Sequence, residues 1–279
     1  MTSVLNCSDS PTASSSDAGV VASLVDLSRD LQKSMLALRS EFMSEDGRGV
    51  DYVAMRSSSL FDDYKAKAER LQAADVSTIA GDDHKAFFIN IYNALTVHGL
   101  MALPSVPSSV LEVQDFWKKT SYRIGAHVYS LDDIEHGILR VNKVHPASKK
   151  SQFAEGDPRI QFCCSRVDPR IHFALVCGAK SCPPVRVYDG AKIDAGLSRA
   201  AKSFCSQEIE VNLDEKKVIM SKIFEWYGGD FGDTATDVLK YCLDYLAGKQ
   251  KENLQMLLDQ CGSSLKVEYK PYNWQLNKT

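Results

Sequence analysis

Apolar residues at Val21, Leu24, Leu27, Leu31, Met35, Leu38 and Phe42 recur at helical spacing and predict an amphipathic helix over 20–43. The polar stretch SEDGRG ends it, and VDYVAMRSSSLFDDYKAKAERLQAAD reads as two shorter helices with Ser58 or Ser59 as a cap. From Asp82, DDHKAFFINIYNALTVHGLMAL is apolar around its whole circumference, which predicts a long central helix. Its few polar members are therefore informative: Asn90 and Asn93 share one stripe, with His98 near it. SYRIGAHVYS alternates about Gly125 as a hairpin does, and Ser130 with Asp133 makes a variant capping box that puts Glu135 and His136 on a short helix. The run Ile171–Val176, bounded by Pro169 and Gly178, has the near-continuous apolarity of a strand buried on both faces. Beyond it come an amphipathic helix around IDAGLSRAAKSFCSQ, a hairpin around IEVNLDEKKVIMSK, two helices, and a closing strand in SLKVEYK.

These elements predict an α+β fold in which a helical N-terminal half packs on a mainly antiparallel sheet, with strands near 122–129, 170–177, 208–220 and 265–270. Residues 1–18 are small and polar and predict a disordered tail. Residues 19–50 then form an N-terminal helix, and 51–279, with no repeat and no long linker, one domain.

Composition narrows the function. A net charge of −3 over 279 residues, without a basic stripe interleaved with aromatics, argues against nucleic acid as a partner. The apolar stretches are broken by Asn, His or Asp before they reach bilayer length, so no membrane span is expected. The first residues lack a basic region followed by an apolar one, which points to synthesis in the cytosol. Eight cysteines without framework spacing fit reduced thiols in a cytoplasmic protein better than disulfides.

The chemistry concentrates in DPRIHFALVCGAKSCPP, Asp168 to Pro184. A thiol just past a rigid element is placed for attack, so Cys182 is the candidate nucleophile and His172, ten residues earlier, a candidate base. Backbone N–H groups of the Gly178–Cys182 turn would serve an oxyanion, and the two prolines stiffen the turn. His136 is the second candidate base, with Glu135 beside it; Asn90 and Asn93, buried amides that must find partners, would orient a base or position a loop or a substrate. Cys163, Cys164, Cys177, Cys182 and His172 lie close in sequence, but adjacent cysteines are poor joint ligands and no C-x2-C pair occurs, so neither metal nor cofactor is expected.

At FFINIYNALTVH, DIEHGILR, DPRIHFALVCGAKSCPP and the closing YNWQLN, the chain resembles the family called domain of unknown function 547, from about Asp82 to Asn277. Phe87 and Phe88 stand where the family commonly has Phe-Trp, and Asn273 where it usually has Asp. The resemblance implies a soluble protein, in a family whose members carry this region beside coiled-coil, DEP or glutaredoxin modules. It places the polar motif residues at Asn90, Asn93, Asp132, Glu135, His136, Asp168, Arg170, His172, Cys177 and Cys182. That set has the chemistry of a thiol enzyme, and a papain-like or transglutaminase-like arrangement is the analogy it invites. The expectation is a cysteine-dependent hydrolase or acyl transferase acting on an amide, ester or thioester of a small-molecule or peptide substrate. Cys182 would be the nucleophile, His172 or His136 the base, and Glu135, Asn90 or Asn93 its orienter, with Cys182, His172, His136 and Asn90 converging on one pocket. Two alternatives stand beside it: a non-catalytic module that binds a protein partner through the helix at 20–43, and a redox pair of Cys177 and Cys182, which requires their Cα atoms within about 7 Å.

Overall fold

A computed structural model describes residues 3–7, 23–45 and 49–279. The fold class is α+β. Where the sequence predicts one domain over 51–279, the chain divides into two compact units: 1–166 with 175–193 and 274–279, and 167–174 with 194–273. Most of the tail expected at 1–18 lies outside the described residues. Ser3–Val4 do not: they form β1.

In the first unit α1 (Leu24–Glu41), α2 (Tyr52–Arg56) and α3 (Ser59–Glu69) surround α4 (Gly81–Ala102), followed by α5 (Phe116–Lys119) and the hairpin β2 (Thr120–Ile124) and β3 (His127–Ser130). Ser23 caps α1, its side chain accepting from the Asp26 N–H at 3.2 Å, and Leu27, Leu31, Met35 and Leu38 are buried. α1 packs on α4, so the apolar stripe that suggested a partner-binding helix is covered within the unit; the expected positions 20–22 lie outside the described residues. α4 is buried from His84 to Met101 except at Lys85, which is the meaning of its all-round apolarity. β1 runs parallel to β2, and β2 antiparallel to β3 with Tyr122 opposite Tyr129. Asn6 secures the tail to β2: its amide donates to the Ala68 and Arg123 carbonyls and accepts from the Arg123 N–H.

The second unit holds α6 (Ile193–Glu208, from Asp194), β4 (Glu210–Asn212), β5 (Lys217–Ser221), α7 (Lys222–Trp226), α8 (Gly228–Phe231), α9 (Ala235–Leu243), α10 (Gly248–Cys261) and β6 (Lys266–Lys270). β5 is central, antiparallel to β4 and parallel to β6. The mainly antiparallel sheet of the sequence reading is thus two small mixed sheets.

The strand expected at 170–177 is not there. Pro169–Phe173 form a 3-10 turn, with the Asp168 carboxylate accepting from the Arg170 N–H at 3.2 Å. Asp followed by Pro is a helix-start signal, an N-cap and then a residue with no N–H to lose, and it outweighs an apolar run that a buried turn supplies equally well. The boundary between the units falls just after, at Ala174 and Leu175. Among the described residues no helix is long and apolar enough to cross a membrane.

Candidate functional site

α4 holds the cysteine segment by its two buried amides. The Asn93 Oδ1 accepts from the Val176 N–H at 2.9 Å, and Asn90 both accepts from the Tyr188 N–H at 2.9 Å and donates to the Tyr188 carbonyl at 2.8 Å. Fully buried amides with backbone partners act as clamps, each worth about 1–3 kcal/mol if its partner is left unsatisfied. Of the roles open to them from sequence, positioning a loop is the one these contacts perform. The clamps grip the chain before Cys177 and after Cys182.

Between the clamps the chain turns at Gly178, whose φ of 95° suits glycine and few other residues. The Cys182 N–H bonds the Ala179 carbonyl at 3.0 Å, and the Lys180 N–H bonds the Gln275 carbonyl at 2.8 Å. The turn brings the Cys177 and Cys182 Sγ atoms to 3.0 Å, and the Cys177 N–H donates to the Cys182 Sγ at 3.2 Å. A backbone donor on sulfur is one of the contacts that a thiolate accepts, and Cys182 has one.

Cys182 lines a cavity of about 460 Å3 whose polar wall includes Arg39, Tyr52, Lys180 and Asn277. Tyr52 donates its hydroxyl to the Asn277 Oδ1 at 3.0 Å, and burial raises its pKa. Arg39 and Lys180 bring positive charge to the wall, as a reactive thiolate requires. Arg39, Tyr52 and Asn277 were not legible as site residues, because nothing in their local pattern links them to a thiol far along the chain. Of Cys182, His172, His136 and Asn90, expected on one pocket, Cys182 alone is among the described residues that line this one.

His172 belongs to the other unit. Its Nε2 lies 2.9 Å from the Asp230 Oδ2, with both side chains 1% exposed, and its ring stacks on Tyr227 at 3.9 Å between centroids. It is a core residue of that unit, tied to a buried carboxylate.

Glu135 and His136 do come together. The capping box forms as expected, with reciprocal bonds between Ser130 and Asp133 at 2.9 and 3.1 Å, but the helix it starts widens into a π-helical turn over Asp133–Leu139. There the Glu135 Oε1 is 3.9 Å from the His136 Nε2, and Tyr92 of α4 donates to the Glu135 Oε2 at 2.9 Å. Arg140 reaches the His136 Nδ1 at 3.1 Å, and the His145 ring lies 4.0 Å from that of His136. Burial, and next the Glu135 charge, push the Asp132 carboxyl up to about 7.

Asp132, His136 and His145 each offer a ligand atom, all within 4.8 Å of one another. The hydrogen bonds of His145 do not suit a metal. Its Nδ1 accepts from the Ala147 and Ser148 N–H groups at 3.0 and 3.1 Å, so the proton of its neutral ring sits on Nε2. A ligating imidazole needs the reverse, a lone pair on the metal and the other nitrogen donating outward.

Residues 76–205 match the family described as protein of unknown function, DUF547, and the chain carries a DUF547 domain there. The match takes in α4, the π-helical turn and the cysteine turn; the closing YNWQLN lies beyond it. No curated protein and no solved structure matches the chain.

Proposed function

We propose that this DUF547-bearing chain is a thiol–disulfide redox protein that works through Cys177 and Cys182. The observation that carries the reading is the 3.0 Å separation of the two sulfurs, about 1 Å more than a disulfide bond, in a turn fixed at both ends by α4. Cys182 is the attacking thiol, since it borders the cavity and accepts the Cys177 N–H. The Cys182 thiolate attacks a low-molecular-weight or peptide disulfide, forming a mixed disulfide and expelling one thiolate. The Cys177 thiol, losing its proton to solvent, attacks the Cys182 sulfur and releases the second. Two electrons pass from the dithiol to the substrate disulfide, and the chain is left with a Cys177–Cys182 bond that a cellular thiol reduces. A reducing compartment such as the cytosol is where that cycle would turn.

The hydrolase reading of Cys182 has less behind it. A thiol that attacks an amide needs a base within hydrogen-bond reach. Among the described residues lining its cavity there is no histidine.

Oxidised glutathione added to the folded protein should remove two hydrogens from the Cys177–Cys182 peptide pair, and dithiothreitol should restore them. Cys177→Ser should stop at a mixed disulfide between glutathione and Cys182. The reading falls if the native protein forms no Cys177–Cys182 bond under these conditions.

A further inference from the structure

A second cavity of the first unit, about 530 Å3, is lined by the start of α4 and by the segment Gln161–Arg166. His84 and Cys164 both face it, the Cys164 Sγ 3.9 Å from the His84 Nδ1. The imidazole is held in place: its ring hydrogen-bonds the backbone of Phe162 and meets the Phe88 ring edge-on, centroids 4.8 Å apart. The thiol's backbone is held as well, the Cys164 N–H bonding the Ile138 carbonyl at 2.9 Å. Its neighbour is spoken for in a different way, since the Cys163 thiol donates to the Gly137 carbonyl at 3.2 Å and burial raises its pKa. Of the adjacent cysteines, Cys164 is the one that meets a base.

Two further features of the same wall suit a carbonyl substrate. α4 begins at Gly81 behind Ala80, which offers no side-chain cap, and the N–H groups of Gly81 and Asp82 have no acceptor among the described residues. Such donors at a helix start are placed to bind a developing oxyanion. Arg166 is exposed on the wall and makes no hydrogen bond or ion pair among the described residues, whereas Lys85 is engaged by Asp82 at 3.6 Å. The cavity therefore offers a nucleophile, a base, oxyanion donors and one available cation.

From this geometry we infer that Cys164 and His84 form a second thiol site, which accepts the acyl group of an ester or thioester whose acyl chain carries a carboxylate, held by Arg166. The Cys164 sulfur attacks the carbonyl carbon while its proton passes to the His84 Nδ1. The tetrahedral adduct collapses, the carbon–heteroatom bond breaks, and His84 returns the proton to the departing alkoxide or thiolate. Water, deprotonated by the same imidazole, then cleaves the Cys164 thioester to the free acid and restores the thiol. Burial lowers the His84 pKa to about 4, so the ring is neutral across the physiological range but a weak base, and the thiol proton is transferred in concert with carbon–sulfur bond formation. The inference is independent of the Cys177–Cys182 pair.

The full-length chain mixed with p-nitrophenyl hemisuccinate at neutral pH should release a burst of one equivalent of nitrophenolate and carry a succinyl group that mass mapping places on Cys164. Cys164→Ala should abolish burst and adduct, and His84→Gln should slow acylation by about 10²–10⁴-fold, the usual worth of a positioned base. Arg166→Gln should slow the hemisuccinate about 10-fold more than it slows p-nitrophenyl acetate. Because adduct mapping uses the unaltered chain, it decides the matter even if a variant fails to fold. Succinylation of Cys182 or another residue in place of Cys164, or a full-size burst from a folded Cys164→Ala protein, overturns the inference. Equal slowing of both esters by Arg166→Gln removes the carboxylate from the substrate assignment.

Discussion

Each unit of this protein holds two thiols hydrogen-bonded to each other, and the two pairs have opposite surroundings. In the first unit Cys177 and Cys182 are half-buried, beside a cavity with Arg39 and Lys180 on its wall. In the second, Cys205 of α6 and Cys242 of α9 are fully buried in the apolar core with Phe204, Leu239 and Leu246. The hydrogen bond between those two thiols, and then burial, hold the Cys242 pKa well above its ordinary value. Sulfur beside sulfur is common to both pairs. What differs is the surroundings: the first pair has a backbone donor and borders a cavity, whereas the second is enclosed by apolar side chains. Thiol chemistry is thus a property of the environment, and the same residue type serves as filler in one unit and as candidate reagent in the other.

The widest gap should appear in labelling. Iodoacetamide on the native protein should modify Cys182 faster than Cys205 or Cys242 by on the order of 10³-fold, because the core thiols react only through opening of their unit. Peptide mapping after short exposures measures the ratio, and guanidinium should collapse it to near one. Comparable native rates for Cys182 and Cys242 would erase the distinction between the pairs.

Stability against pH should separate them next. The native Cys242 thiol has a pKa above the unfolded reference of 9.0, so its neutral form is favoured by folding. That contribution is fully present below about pH 9 and is lost as pH rises past it toward the native value. Urea midpoints of the second unit should therefore fall between pH 8 and pH 10.5, and Cys242→Ala should flatten that fall while costing about 1–2 kcal/mol at pH 7 through the small cavity it leaves.

Most helices were legible in the pattern, since α1 and α4 bury the residues their periodicity marks, and the Ser130–Asp133 box forms as its spacing requires. The site was legible only in part. Cys182 borders a cavity, as its motif suggests, whereas the approach of Glu135 to His136 was not legible, because consecutive residues of an α-helix point about 100° apart and the π-helical turn is not marked in the pattern. The partner of His172 was not legible: Asp230 lies 58 residues away on a short helix with no motif of its own. Cys164 and His84, 80 residues apart, were invisible as a pair for the same reason. Local pattern reports which face is buried; it does not report which distant side chain arrives there.

Smaller effects test whether the first pair depends on its scaffold. Asn93→Ala leaves the Val176 N–H buried without an acceptor and should cost about 1–3 kcal/mol in urea unfolding. The same change should slow formation of the Cys177–Cys182 disulfide, because the turn loses the clamp that precedes Cys177. Gly178→Ala should cost the least, about 1–2 kcal/mol, from placing a Cβ on a residue with φ of 95° and within 3.2 Å of the Leu100 Cδ1. Both variants leave Cys205 and Cys242 untouched. If disulfide formation at Cys177–Cys182 keeps its native rate in both, the nearness of the two sulfurs is set by the five-residue spacing alone, and the clamps of α4 stabilise the fold without tuning the pair.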